Sequence, residues 1–348
     1  MTGPRSNRDI EGINQQQLGQ LLGISPQMVS AIESGRRPLT GSLEPTGYSN
    51  ERLALPTMSP PLHRHRAATK ASAKKRAHEL LRLAGEVFIE LRDRTPKRLE
   101  LGIERLPAPA KLEDVEELAI EVRCALDHEE QGPIKDLTRA VEYAGVCVVP
   151  MFGLEGIDGI SSWVEGQPVI GLRPDVPGDR FRFSLSHELG HLVFHRKRSE
   201  NTEAEANRFA GALLFPKDEF DEAMPERGQL RDFVQLKASW GVAVSAIIYR
   251  AHELEYIDDA RYRALQIQMS KWRRKEPGTF EPAHGQLFNK LVEVNGGTDA
   301  VAHSMGINRD HLAELQNWSH LRLLAPPGRR ALPARRQQPK RTILTPRP

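Results

Sequence analysis

Residues 183–195 have the sequence Phe-Ser-Leu-Ser-His-Glu-Leu-Gly-His-Leu-Val-Phe-His, in which apolar residues recur with the period of a helix. Two imidazoles four residues apart lie about 40° apart around a helix axis. His187 and His191 therefore face the same side and can reach one ion. Glu188 points about 100° away from His187, beside the ion rather than at it. The pattern predicts a metal site with an adjacent general base, although two histidines packed in a core would show the same spacing.

Histidine and carboxylate ligands that leave one position open are typical of catalytic zinc, so Zn²⁺ is the expected cofactor. The metzincin pattern requires Gly and His at the positions occupied by Phe194 and Lys197, which excludes that class. A second predicted helix begins near Thr202, which we expect to be its cap. His195 continues the face of His191, but we expect it to be structural or to support a ligand.

The second helix offers two carboxylates, Glu203 and Glu205. Glu203 shares a face with Ala210 and Leu214, so we predict that it points inward and is the third zinc ligand. Glu205 lies about 200° further round the helix, where solvent or an ion-pair partner is expected. Asn207, one turn after Glu203, is predicted to accept a ring N–H of His187 or His191 and so to orient a ligand.

Residues 183–195 together with residues 203–216 resemble the ImmA/IrrE family of metallopeptidases. The shared pattern is HELGH, a histidine four residues later, and a Glu-x-Glu-Ala-Asn-x-Phe-Ala block that ends in Leu-x-Pro. The resemblance covers roughly residues 130–260. It implies intracellular, zinc-dependent proteolysis. The protein substrate that it implies is a regulatory protein, a transcriptional repressor. A non-proteolytic transcriptional regulator that uses the peptidase-like fold as a sensor is the alternative, and Glu188 favours the enzyme.

Two short predicted helices lie near the beginning of the chain. Gly23 ends the first, and Ser25 caps the second before Gly35 stops it. This arrangement is a helix-turn-helix, and its residues resemble the XRE (lambda-repressor-like) DNA-binding family. The resemblance rests on these positions: Gln15, Leu18, Leu22, Gly23, Ile24, Ser25, Val29, Ser30, Ile32, Glu33 and Gly35.

DNA is the partner that this resemblance implies. Gln27, Met28 and Ser30 stand near the start of the second helix, where base edges are read, and Gln15 would meet phosphate. The module is predicted to be truncated. Too few apolar residues precede Asn14 for a full first helix, and the closing helices are replaced by a stretch rich in Pro, Gly, Ser and Thr.

The expected fold is α+β and predominantly helical. It consists of a gluzincin-like peptidase domain with a small sheet beside the HExxH helix and a helix-turn-helix remnant before it. Strands are predicted at residues 146–149, 160–164 and 169–172, and the strand Val169–Leu172 is expected to flank the cleft and accept a peptide as an added strand. The chain is divided as follows: 1–40 helix-turn-helix, 41–69 linker, 70–128 helical linker, 129–275 peptidase domain, 276–325 small helical domain, and 326–348 disordered basic tail.

Composition sets the remaining limits. With 49 basic and 46 acidic residues among 348, the formal charge is +3, which identifies no partner. Cys124 and Cys147 form no metal or disulfide pattern, as expected in a reducing compartment. No apolar run approaches the roughly 20 residues that a membrane helix needs. We therefore expect a cytoplasmic protein without a membrane partner. Residues 301–315 faintly resemble a helix-turn-helix, but generic helical packing is the preferred interpretation.

Overall fold

The computed structural model describes residues 4–37, 58–59, 71–95, 102–126, 131–153, 158–197, 199–225, 228–272, 276–278 and 280–319. The helices up to the sheet are α1 (Pro4–Glu11), α2 (Gln15–Leu22), α3 (Pro26–Glu33), α4 (Ala71–Arg94), α5 (Val115–Ala125) and α6 (Leu137–Tyr143). The strands are β1 (Cys147–Pro150), β2 (Gly159–Val164) and β3 (Gln167–Leu172). The later helices are α7 (Gly178–Phe194), α8 (Thr202–Leu214), α9 (Lys217–Ala223), α10 (Leu230–Trp240), α11 (Val244–Glu253), α12 (Asp259–Met269), α13 (Leu287–Val294), α14 (Gly297–Met305) and α15 (Arg309–Gln316).

The strands form one sheet of order β1-β3-β2, in which β1 and β3 are parallel and β2 and β3 are antiparallel. The β2–β3 hairpin turns at Glu165 and Gly166, whose φ angles are 47° and 81°. Two consecutive positive φ values are typical of a type I′ turn, which matches the twist of a hairpin. The predicted fold class, predominantly helical with a small sheet beside the HExxH helix, is confirmed.

Helices cover both faces of the sheet. On β2, Ser161 and Trp163 point to α7, since Ser161 contacts Glu188 and the Trp163 indole donates to the carbonyl of Leu192. Ile160 and Val164 point the other way and pack with α4. This alternation is the period of two expected of a strand. The sheet therefore lies between α7 on one face and α4 on the other.

Helix α4, which lies in the predicted helical linker 70–128, is part of a hydrophobic core. All residues from Leu80 to Phe88 are buried. Arg82 and Glu86, which look like surface residues in the sequence, are buried as an ion pair one turn apart. Gly85 lets the helix approach the sheet, because a Cβ at this position would lie 2.6 Å from the Cβ of Val164. The module boundaries themselves stay predictions.

The N-terminal helices differ from expectation at their start. A first helix, α1, precedes the predicted pair although its sequence is poor in apolar residues. Ile10, 1% exposed, belongs to the same hydrophobic cluster as the buried face of α4. Tertiary packing thus supports a helix that local apolar content does not predict. The predicted linker 41–69 lies outside the described residues, except for residues 58–59.

One connection occurs four times among the described residues. Helices α1 and α2, α2 and α3, α10 and α11, and α14 and α15 are joined at Gly12, Gly23, Gly241 and Gly306, each in the left-handed conformation with φ between 58° and 69°. A helix commonly ends at such a glycine. Residues 301–315 therefore do adopt a helix-turn-helix, but α15 is packed. His311 contacts Glu11 at 2.8 Å and Glu314 contacts Arg76 at 2.6 Å, in agreement with the preferred interpretation.

Two further expectations concern the ends of the chain and membranes. The tail at residues 326–348, predicted to be disordered, lies outside the described residues. Within the described ranges, no helix has both the length and the apolar character needed to cross a membrane.

Candidate metal centre

His187 and His191 lie on consecutive turns of α7, as their spacing predicts. Their ring centroids are 4.6 Å apart with the ring planes nearly perpendicular. The residues are 6% and 1% exposed. Both Nε2 atoms face α8, which packs along α7. A close approach of the two helices is possible because Gly190 of the HELGH segment lies against Phe209 of α8.

Glu203 in the first turn of α8 meets both imidazoles. Its Oε2 lies 3.6 Å from His187 Nε2, and its Oε1 lies 4.0 Å from His191 Nε2. Thr202, expected to be the cap, is the first helical residue instead, and its hydroxyl accepts the N–H of Ser199 at 2.8 Å. This contact closes the turn between residues 199 and 202, which precedes Glu203.

The three side chains fit a zinc ion. Their ligand atoms, one per residue, all lie within 4.8 Å of one another. Atoms bound to zinc at about 2.0–2.1 Å in a tetrahedron are separated by roughly 3.3 Å. The observed separations of 3.6 and 4.0 Å exceed this value by about 0.3 and 0.7 Å. Two imidazole nitrogens and one carboxylate are a donor set that zinc accepts with an open fourth position.

Glu188 lies beside this cluster on the side of the sheet. Its Oε2 accepts a 2.6 Å hydrogen bond from the hydroxyl of Ser161. Gly159 makes room for it, since a Cβ there would lie 2.7 Å from Glu188 Cγ. The pKa of the Glu188 carboxyl is raised to about 8, because burial, with the charges of Glu203 and Asp158, outweighs the lowering by the Ser161 hydroxyl. A bound cation would act in the opposite direction and favour the carboxylate. The sequence interpretation missed both Ser161 and Gly159.

His195 and Glu205 form a second pair beside the first cluster. His195 Nδ1 lies 2.9 Å from His191 Nδ1, and His195 Nε2 lies 2.8 Å from Glu205 Oε2. Burial lowers the pKa of His195, whereas the hydrogen bond and the charge of Glu205 raise it. Glu205 is thus hydrogen-bonded to His195, and its side chain is 14% exposed.

The role predicted for Asn207 needs correction at His191. The Nδ1 atom that Asn207 was expected to contact is adjacent to His195 instead. A helical wheel compares positions within one helix only and does not show which residue of a neighbouring segment reaches a ring. His195 lies just beyond the last residue of α7 in an extended conformation, so its ring can reach between the two helices. A contact of the half-buried Asn207 with His187 stays a prediction.

The prediction that a peptide pairs with the strand Val169–Leu172 is also wrong. β3 is the central strand and has β1 and β2 on its two sides, so it offers no free edge. The edge beside Glu188 belongs to β2. At the far end of that edge, the N–H of Ser59 donates to the carbonyl of Trp163 at 3.0 Å, and Met58 forms an antiparallel bridge with Val164. Strand order is a tertiary property, which sequence proximity to the active helix does not determine.

The candidate DNA contacts lie on the N-terminal module, apart from this centre. Gln27 is exposed at the start of α3, and Met28 and Ser30 are half-buried. Gln15 is engaged within the module, because its amide donates to Glu33 at 2.8 Å. Gln27 is thus exposed at the start of the helix, and its contact with DNA stays a prediction, while Gln15 makes an intramolecular hydrogen bond that the sequence interpretation did not foresee.

Residues 141–252 match the IrrE N-terminal-like domain, a peptidase family. This segment contains the complete His187–Glu203 cluster and Glu188. Residues 5–43 match a helix-turn-helix family. Both resemblances predicted from the sequence are confirmed, and the chain combines a peptidase-like domain of the IrrE type with a DNA-binding type of module. No curated protein matches the chain.

Proposed function

We propose that this protein is a zinc-dependent endopeptidase of the cytoplasm that cleaves a regulatory protein, a transcriptional repressor, and that its N-terminal module binds DNA. One observation carries the proposal: His187, His191 and Glu203 converge to within 4.8 Å beside the buried Glu188. The match to a peptidase family supports the reaction class, and the helix-turn-helix match supports a role near DNA.

His187, His191 and Glu203 would hold the metal, and Glu188 would move the proton. Zinc supplies a Lewis acid that polarises a peptide carbonyl and acidifies water. Glu188 accepts the proton of the attacking water at its carboxylate and then donates it to the amide nitrogen that leaves. Ser161 holds one oxygen of Glu188, which fixes the carboxylate while the other oxygen exchanges the proton. The bond between the carbonyl carbon and the water oxygen forms first, and the peptide C–N bond then breaks as the nitrogen takes up the proton.

The edge of β2 is the proposed docking place for the substrate. Ser161 and Gly159, which border Glu188, lie on this edge strand. An extended peptide can pair with an edge strand through main-chain hydrogen bonds. Because Trp163 directs its carbonyl outward to Ser59, the alternation of a strand directs the main-chain groups of Ser161 to the same side.

The test is Glu188→Gln, which removes the base and leaves the three ligands. We expect about one zinc per chain in the variant, as in the wild type, and no cleavage. Zinc content is measured by elemental analysis. New protein N-termini are compared by mass spectrometry in cells that express either form. Glu90→Gln on the exposed side of α4 is the matched control and should cleave normally. Normal cleavage by the Glu188 variant would exclude this mechanism.

A second function is non-proteolytic: a transcriptional regulator in which the peptidase-like fold is a sensor. The exposed start of α3 favours DNA binding in either case. Identical sets of new N-termini in the two cell lines, together with zinc-dependent DNA binding by the purified protein, would support the sensor.

A further inference from the structure

We propose that His195 and Glu205 are positioning residues that orient His191 for the metal through a chain of two hydrogen bonds. The proposal rests on the proposed metal site. It concerns side chains outside the predicted ligand set and gives a role to a residue, Glu205, for which the sequence predicts only solvent or an ion pair.

Three side chains are connected one after another by hydrogen bonds. His191 contacts His195 at 2.9 Å, and His195 contacts Glu205 at 2.8 Å, each through a ring nitrogen. The side chains of His191, His195 and Glu205 are 0%, 4% and 14% exposed. Water competes little with hydrogen bonds at such burial, so these contacts restrict the rings more than surface contacts would.

The series admits one arrangement of protons if His191 binds a metal. The Nε2 atom that faces Glu203 must present its lone pair to the ion, so the proton lies on Nδ1. His191 Nδ1 then donates to His195 Nδ1. The remaining proton of His195 lies on Nε2 and is donated to the Glu205 carboxylate. Each donor meets an acceptor, and the tautomer of His191 is the one that metal binding requires.

The same arrangement explains why His195 is not the third ligand, although it repeats the four-residue spacing of His187 and His191. Its Nδ1 contacts His191 Nδ1, the ring nitrogen that does not face Glu203. Its Nε2 is directed to Glu205. The ring is therefore placed behind a ligand, and both of its nitrogens are engaged there.

The backbone prepares this placement. α7 ends at Phe194, and His195 is extended with φ −102° and ψ 114°, which turns its ring toward α8. Glu205 lies in the first turn of α8. A carboxylate is stabilised there by the partial positive charge of a helix N-terminus. The anion at the end of the series is thus favoured by the helix that carries it.

The consequence is a contribution to zinc affinity from residues that never contact the metal. Partners that hydrogen-bond the second nitrogen of a zinc-binding histidine fix its orientation and raise its basicity. Loss of such a partner typically weakens metal affinity about 10-fold to 100-fold. We expect an effect in this range for Glu205→Ala and for His195→Phe, and a smaller one for Glu205→Gln, which can still accept from His195 but lacks the charge.

The experiment uses the full chain. Zinc affinity is measured by competition with a chelator, and the absorption spectrum of the Co²⁺-loaded protein reports the ligand geometry. Thermal melting of the metal-free protein separates this effect from loss of folding. His252→Phe, which removes a similar but exposed histidine–carboxylate pair with Asp259, is the matched control. Its zinc affinity should stay within about twofold of the wild type.

The proposal is supported if Glu205→Ala loses at least about tenfold in zinc affinity, the Co²⁺ spectrum changes, and Glu205→Gln is intermediate at an unchanged melting temperature. It is overturned if Glu205→Ala binds zinc within about twofold of the wild type with the same spectrum. If Glu205→Ala or His195→Phe folds poorly, Glu205→Gln decides by the same two readouts. Failure of the proposed function looks different, since the wild type itself would then hold no zinc or cut nothing.

Discussion

Gly190, the fourth residue of the HELGH segment, sets the distance between the two helices that carry the metal centre. A Cβ at this position would lie 2.8 Å from Cδ1, 3.2 Å from Cγ and 3.4 Å from Cβ of Phe209. Carbon atoms in contact prefer about 3.5–4.0 Å, so the substitution Gly190→Ala requires the ring to withdraw by roughly 0.7 Å. Phe209 is fully buried and packs edge-on against Phe194, which leaves it little room to turn. We expect α8 as a whole to shift.

A shift of α8 carries Glu203 with it. Zinc sites tolerate deviations of about 0.2 Å in ligand distance, so a movement of several tenths of an ångström should weaken zinc binding at least tenfold. Overpacking a core costs about 1–3 kcal/mol, and replacing Gly by Ala within a helix returns up to about 1 kcal/mol. The free energy of unfolding of the metal-free protein should therefore fall by about 0–2 kcal/mol.

Gly211→Ala is the matched control on α8. A Cβ at Gly211 meets only the Arg250 side chain, at 3.4 and 3.5 Å, which is close to ordinary contact. This variant should keep the zinc affinity of the wild type and gain up to about 1 kcal/mol in stability. Chelator competition gives the affinities and urea unfolding the free energies. Equal zinc affinity in Gly190→Ala and Gly211→Ala would refute the argument that helix separation limits the site.

Three further predictions concern other parts of the molecule. Burial raises the pKa of Glu142 from 4.5 to about 7, so the folded protein binds an extra proton between these pH values, and its stability falls as the pH rises from about 4.5 to 7. The difference in unfolding free energy between the wild type and Glu142→Gln should therefore change by roughly 2 kcal/mol between pH 5 and 7.5. An unchanged difference would contradict this. Ile170→Pro should reduce zinc binding and cleavage together, since it breaks the central strand, and loss of cleavage alone would indicate a docking role for β3 after all. DNA binding should be weak and fall steeply with salt, and Gln27→Ala should weaken it while Gln15→Ala mainly destabilises the module; tight, salt-insensitive binding would argue against a phosphate-dominated contact.

The part of the metal centre that lies within single helices was predictable from the sequence. The spacing of His187 and His191 fixes their relation on any helix, and the wheel position of Glu203 indicates an inward face. The structure brings these three side chains together. The strands were also predicted to within two residues, because short buried strands leave a clear pattern.

What the sequence could not provide depends on how elements meet. His195 reaches Glu205 only because α7 ends one residue earlier, and the hydroxyl of Ser161 reaches Glu188 only because β2 runs beside α7. The order β1-β3-β2 places the third strand in the middle, which strand sequence alone does not determine. Ile10 is a single apolar residue in a polar segment, and its burial against α4 is visible only in the fold.

The left-handed glycine that joins α2 to α3, α10 to α11 and α14 to α15 has a consequence for how such chains are interpreted. The turn packs one short helix against the next, and a protein can use it repeatedly for a purely structural purpose. A DNA-binding helix-turn-helix differs from a structural one in the accessibility of its second helix. Gln27 of α3 faces solvent, whereas His311 and Glu314 of α15 are bonded to neighbouring helices. A mutational scan for DNA recognition should therefore be confined to α3, and substitutions at His311 or Glu314 should register as changes in stability.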